Sequence, residues 1–238
     1  MSGKESNGNM YSWVTKTYNP VAGFCPHDCL YCYVNSLRER NRWLKEKYSG
    51  GIRLVDKEMK KNLGKGKTWF VCSCIDLFAV GVTDEVIEKV LAHCREYPDN
   101  TYLFQTKNPK RLLEFMPYYP DNTILGTTIE TDKKLSITKA PSPYKRYKGI
   151  KWVREFNEYP VMVSVEPILD FDFEKLVKWI YDIRPSFVSI GADSKGNDLP
   201  EPSSWKIEKF IKELEKFTVV KLKKNLKRIV YLEGYTYE

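Results

Sequence analysis

The chain has 238 residues and six cysteines, with 42% hydrophobic and 29% charged residues. That balance excludes a disordered or fibrous chain and suits one domain with a full core, read as a flexible N-terminus over 1–10 and a single domain over 11–238. The net charge of +8 favours polyanionic partners such as DNA or RNA, although a generally basic soluble enzyme has the same balance. No apolar run approaches the roughly 20 residues of a bilayer span, and MSGKESNGNMYSW lacks a signal-peptide core, so the expectation is a soluble cytoplasmic protein without a membrane partner.

Read in chain order, the first extended run lies at 11–17, followed by a cysteine-bearing loop. Leu, Arg, Lys and Glu over 30–47 predict one amphipathic helix that ends at Gly50 and Gly51, and 57–67 is a charged excursion. TWFVCSC at 68–74 predicts a buried strand. Thr83 is placed to cap a helix over 84–97, whose acidic first turn suits the helix dipole. TYLFQT at 101–106 is a further strand, and Pro109 opens a helix through Phe115. TILGTTI at 123–129 precedes a basic, helical stretch to 159. VMVSVEP at 161–167 is a strand ended by Pro167, and a helix follows over 172–183. SFVSIGA at 186–192, a loop at 196–202, a helix from Ser203 or Ser204 to Phe217 and TVVKLK at 218–223 complete the series.

Apolar strands that alternate with helices indicate a parallel sheet covered by helices. Six or seven such units predict an α/β fold, a complete or partial TIM-type βα barrel. Chemistry in such barrels sits at the C-terminal strand ends, and there the chain places Ser73 and Asp76, Thr106 and Lys107, Thr128 and Glu130, Glu166, Gly191 and Asp193, and Lys223 and Asn225.

Cys25, Cys29 and Cys32 form a C-x3-C-x2-C pattern in the loop after the first strand. Thiolates suit iron–sulfur clusters or zinc, and two histidines, His27 and His93, are too few for a His-rich metal site. Three ligands leave one iron of a cubane open, whereas structural zinc closes with four. Zinc completed by His27 or a distant cysteine, structural disulfides and plain thiols remain alternatives. Cys72 and Cys74, at i and i+2 of a strand, share one face as packing residues or as a thiol hydrogen donor. Cys94 lies on an apolar helix face, and His93 is read as a surface or capping residue.

CPHDCLYC resembles the radical S-adenosylmethionine (SAM) signature, C-x3-C-x-aromatic-C. More closely, YNPVAGFCPHDCLYCYV, FVCSCIDLF, FQTKNPKRL, ILGTTIE and VSVEPIL resemble a phage-associated radical-SAM-like family of uncharacterised proteins, itself similar to spore photoproduct lyase. The resemblance implies a [4Fe–4S] cluster on Cys25, Cys29 and Cys32, whose open iron chelates SAM. One electron, from a reductant such as flavodoxin or ferredoxin, then cleaves SAM to a 5′-deoxyadenosyl radical. It places Tyr31 near the adenine, Ser73 and Asp76 toward the SAM amino end, Lys107 on the SAM carboxylate, and Thr128 and Glu130 on the ribose hydroxyls. Glu166 is a barrel-mouth residue for substrate or SAM. The chain has Cys-Ser-Cys-Ile-Asp where the superfamily commonly has Gly-Gly-Glu.

Basic residues interleaved with aromatics over 133–154, and KLKKNLKR at 221–228, fit a nucleic acid, as they fit a solvated helix face. The leading expectation is therefore modification or repair of a nucleic acid or nucleotide. Radical chemistry on a peptide or small metabolite, and a zinc-stabilised nucleic-acid-binding module without catalysis, are the alternatives.

Overall fold

The computed structural model describes residues 11–238; the expectation of a flexible segment over 1–10 falls outside them. The elements in order are β1 (Lys16–Tyr18), β2 (Val21–Ala22), α1 (Tyr33–Arg40), α2 (Arg42–Lys47), β3 (Arg53–Leu54), α3 (Asp56–Met59), β4 (Thr68–Val71), α4 (Asp84–Arg95) and β5 (Thr101–Thr106). A 3-10 segment (Pro109–Tyr118) leads to β6 (Thr123–Thr128), α5 (Pro143–Phe156), β7 (Val161–Val165), α6 (Phe173–Ile183), β8 (Phe187–Ile190), α7 (Ser204–Leu214) and β9 (Val219–Leu222). A short 3-10 turn (Lys224–Arg228) follows.

Seven strands form one parallel sheet in the order β1-β4-β5-β6-β7-β8-β9, and β2 and β3 form a separate antiparallel pair. Among the described residues the first and last strands of the sheet do not pair with each other, so the architecture is a partial βα barrel. Alternation sends Trp69, Val71, Tyr102, Phe104, Leu125, Val163, Val188 and Ile190 into the main core with Ile87, Val90, Leu91, Ile180 and Phe210 of the helices.

The concave face is layered. Phe70, Leu103, Ile124, Met162 and Phe187 form an apolar floor, on which Tyr11, Trp13 and Val14 pack. Gly126 carries no side chain there because a Cβ would lie 2.7 Å from Met162 Sδ, so its bareness makes room for Met162. One register step beyond comes a polar row, Thr128, Ser164, Ser189 and Lys221. An ordinary barrel interior is filled by branched apolar residues; here the upper interior is polar.

Several boundaries differ from expectation. The helix expected over 30–47 breaks in two at Asn41, whose extended backbone lets its side chain accept the Leu44 amide hydrogen and restart the helix. The strand expected over 68–74 stops at Val71, because Cys72 adopts a left-handed conformation with φ of 56°. Thr83 precedes α4 but makes no side-chain cap, whereas Ser142, Asp172 and Ser203 cap α5, α6 and α7. Pro109 opens a 3-10 segment rather than an α-helix. Residues 131–142 are not helical, and α5 begins only at Pro143. Among the described residues no helix is long and apolar enough to cross a membrane.

Candidate functional site

The cysteine loop leaves the β1–β2 region and ends where Cys32 occupies the N-cap position of α1. Its tight turns are set by the left-handed Asp28, by Asp28 N donating to the Cys25 carbonyl at 3.2 Å, and by Cys32 N donating to the Cys29 carbonyl at 3.1 Å. Cys25, Cys29 and Cys32 thereby line one cavity, together with Phe24, Arg38 and Cys74. Cys29 is buried and the other two loop cysteines are half-buried. Burial pushes the Cys25 thiol up to about 12 and raises that of Cys32. These thiols therefore stay protonated unless a cation binds and compensates the thiolates.

Asp76 ties the loop to the sheet. Its Oδ2 meets His27 Nε2 at 2.8 Å and accepts from Lys107 N at 2.7 Å, while Oδ1 accepts from Phe78 N at 3.0 Å. Burial alone would raise this carboxyl, but His27 and the donated hydrogen bonds outweigh it and hold it below its ordinary value. One carboxylate thus joins the cysteine loop, the end of β4 and the end of β5.

Glu130, just past β6, is a second junction. Lys107 Nζ and Arg146 Nη1 each approach it to 2.5 Å, one on either oxygen, and the Tyr31 hydroxyl donates to it as well. Burial would raise the Glu130 carboxyl; Arg146 and Lys107 reverse the sign and hold it at about 2. Lys107 Nζ also stands 5.1 Å from the centre of the Tyr31 ring. Two cations against one carboxylate leave this cluster net positive. Thr128 lies alongside: its hydroxyl accepts from Gln105 Nε2 at 3.0 Å, and its carbonyl accepts from Arg146 at 3.2 Å.

The structure therefore gathers Cys25, Cys29, Cys32, Tyr31, Asp76, Lys107, Thr128 and Glu130 at one end of the sheet. Ser73 stands to one side, its hydroxyl donating to Asn19 Oδ1 at 3.2 Å and its carbonyl accepting from Tyr33. Glu166 belongs to a separate group. Lys223 Nζ reaches it at 2.6 Å and Asn225 Nδ2 at 2.9 Å. A chain of contacts spans the interior between the two groups: Lys223 stands over the Tyr11 ring, Tyr11 donates to Gln105 at 2.7 Å, and Gln105 donates to Thr128.

Three sequence expectations change. Cys72 and Cys74 do not share a face: the left-handed Cys72 turns into the core, and Cys74 lines the cysteine cavity. His93 is buried and bonds the Lys61 carbonyl at 2.9 Å instead of sitting at the surface. Arg146, read as part of a basic nucleic-acid tract, is fully buried. Its spacing from Tyr147, Ile150 and Val153 on the buried face of α5 was the available signal. Cys94 is core, as expected.

A family model described as "Protein of unknown function (DUF5131)" matches residues 9–180. The chain belongs to this family. The match takes in the cysteine loop, Asp76, Lys107, Glu130, Arg146 and Glu166, so both junctions of this DUF5131 chain lie inside it. No curated protein matches the sequence. Among solved structures the chain is similar to a spore photoproduct lyase double mutant with bound AdoMet and dinucleoside spore photoproduct, with a TM-score of 0.52 and 13% identity. It covers 84% of this chain and 61% of that one, so the chain spans about three fifths of that protein's length. A spore photoproduct lyase point mutant gives a TM-score of 0.59 at 12% identity, over 86% of this chain and 75% of that one. At these identities the likeness shows a shared fold.

Proposed function

We propose that this DUF5131 protein is a radical SAM enzyme that holds a [4Fe–4S] cluster on Cys25, Cys29 and Cys32 and acts on a nucleic acid or nucleotide. The observation that carries the reading is the convergence of the three loop thiols on one cavity at the C-terminal end of the parallel sheet. The donor set fits such a cluster: three soft ligands on one curled loop leave one iron for SAM. His27, within the loop, meets Asp76 through Nε2 at 2.8 Å, which fixes its ring beside the three cysteines. The fold shared with a lyase that binds AdoMet supports the same cofactor pair.

When bound, the cluster and SAM would supply one-electron cleavage of SAM to methionine and a 5′-deoxyadenosyl radical that removes hydrogen from the substrate. The chain's own residues orient and shield. Lys107, in the net-positive junction with Arg146, offers a compact cation to the SAM carboxylate. Glu130 fixes Lys107 and Tyr31, and so sets where a carboxylate and an adenine ring would lie. Thr128 presents a hydroxyl beside them, and Ser73 borders the cysteine cavity through its neighbour Cys74. The apolar floor under Tyr11 and Trp13 excludes water from below. Glu166 and Lys223 face the substrate side.

A nucleic-acid substrate is supported by the rim. Phe24, Tyr33 and Trp43 are exposed around the loop and the α1–α2 helices, where Arg40 and Lys45 are exposed and Arg38 lies over the Phe24 ring. Aromatic faces beside cations suit bases and phosphates. Much of the distal basic sequence is instead engaged within the fold: Lys133 with Asp170, Lys221 with Glu238 and Arg228 with Glu201.

The test is anaerobic reconstitution followed by iron and sulfide analysis, then dithionite and SAM with 5′-deoxyadenosine followed by mass spectrometry. About four irons per chain, with deoxyadenosine formed by the wild type and absent in Cys25→Ala, is the expected result. Zinc in place of iron, or a cluster that never cleaves SAM, overturns the reading.

A further inference from the structure

The irregular segment ahead of α5 runs beside the cysteine loop. Leu30 N donates to the Ile137 carbonyl at 2.9 Å, Lys139 N donates to the His27 carbonyl at 2.7 Å, and Lys139 Nζ reaches Asp28 at 2.8 Å. Thr138 sits between these bonds. Its hydroxyl oxygen is 3.1 Å from Cys29 Sγ, the most buried thiol of the loop, and 3.1 Å from the His27 carbonyl oxygen; it also accepts from Ala140 N at 3.1 Å.

A threonine hydroxyl has one hydrogen to give. While Cys29 is a thiol, the sulfur brings its own hydrogen, and Thr138 is free to donate to the His27 carbonyl. A metal-bound thiolate has none and can only accept. The close approach of oxygen to sulfur then holds only if the Thr138 hydrogen turns from the carbonyl to the sulfur. Such a bond strengthens as electron density on the sulfur grows, and so stabilises the reduced cluster more than the oxidised one.

We propose that Thr138 donates its hydroxyl hydrogen to the Cys29 sulfur of the bound cluster and thereby raises the cluster's reduction potential. This rests on the cluster reading above. Thr138 is a positioning residue, acting on the cluster only through Cys29.

The experiment is a redox titration of the full reconstituted chain, with dithionite as reductant and the reduced cluster followed by electron paramagnetic resonance. Wild type, Thr138→Val, Thr138→Ala and Thr138→Ser are compared at equal iron loading. At the wild-type midpoint the ratio of reduced to oxidised cluster is expected to fall roughly tenfold in T138V and T138A, about 59 mV for one electron, and to recover in T138S. T138A is smaller than threonine and carries the measurement if valine disturbs the loop. A loaded wild type whose midpoint T138V and T138A leave unchanged overturns this proposal alone. Wild-type protein that takes up no iron overturns the cluster reading and this proposal together.

Discussion

Arg146 and Glu130 form an ion pair in which neither side chain is exposed to solvent. The pair joins the buried face of α5 to the end of β6, and through Glu130 it reaches Lys107 and Tyr31. Burying both charges is costly, and the surrounding donors offset that cost only while each partner is present.

Removing one partner is therefore expected to be severe. Arg146→Met or Glu130→Gln should each cost about 3–5 kcal/mol of unfolding free energy. Urea denaturation should show the midpoint falling with an unchanged slope. A loss under 1 kcal/mol in both variants would remove the pair as a structural junction.

The same carboxylate predicts an acid limb. Glu130 is held at about 2 in the fold against an ordinary 4.5. A depressed folded value means that the unfolded chain takes up the proton first as pH falls. The stabilisation is complete above pH 4.5 and is lost between 4.5 and 2, on the order of 3 kcal/mol from this group. Stability followed by circular dichroism across this range should fall less steeply in Glu130→Gln than in the wild type.

The cysteines should divide by position. Cys25→Ala, Cys29→Ala and Cys32→Ala are each expected to abolish retention of a four-iron cluster. Cys94→Ala, in the core, should retain full iron while losing about 1 kcal/mol to the small cavity. Iron per chain after desalting, with thermal melting, checks both halves.

Gly191 seats the Glu166 group. A Cβ there would stand 2.7 Å from Glu166 Oε1 and 3.0 Å from Asn225 Oδ1. Gly191→Ala should displace Glu166 from Asn225 and cost about 1–3 kcal/mol through overpacking. Because this group lies apart from the cysteine loop, iron loading should stay at the wild-type level; a coincident loss of iron would show that the two groups are one unit.

Charge reversal at the rim tests the polyanion reading. Arg40→Glu and Lys45→Glu should weaken binding of single-stranded DNA or RNA and lower the salt slope by about one for each phosphate left without its cation. Unchanged affinity at low salt, or no binding by the wild type, would turn the search toward peptides or small metabolites.

Elements that depend on near neighbours were legible in the sequence alone. Apolar runs such as 161–165, caps such as Ser203 and the three-cysteine loop need no distant partner, and strands alternating with helices sufficed for a parallel α/β sheet. The grouping of Lys107 with Glu130 at adjoining strand ends was legible for the same reason, since consecutive parallel strands place their C-terminal ends side by side. The remaining features exist only in the assembled fold. Thr138 meets Cys29 across 109 positions, and His27 meets Asp76 across 49. Arg146 looked like surface charge until a buried carboxylate came to face it. The left-handed turn at Cys72, which sends Cys72 and Cys74 apart, is not encoded by side-chain alternation. One cause is common to these cases: hydrophobic periodicity and capping are local, whereas the partner of a buried polar group is known only once the sheet has brought distant strand ends together.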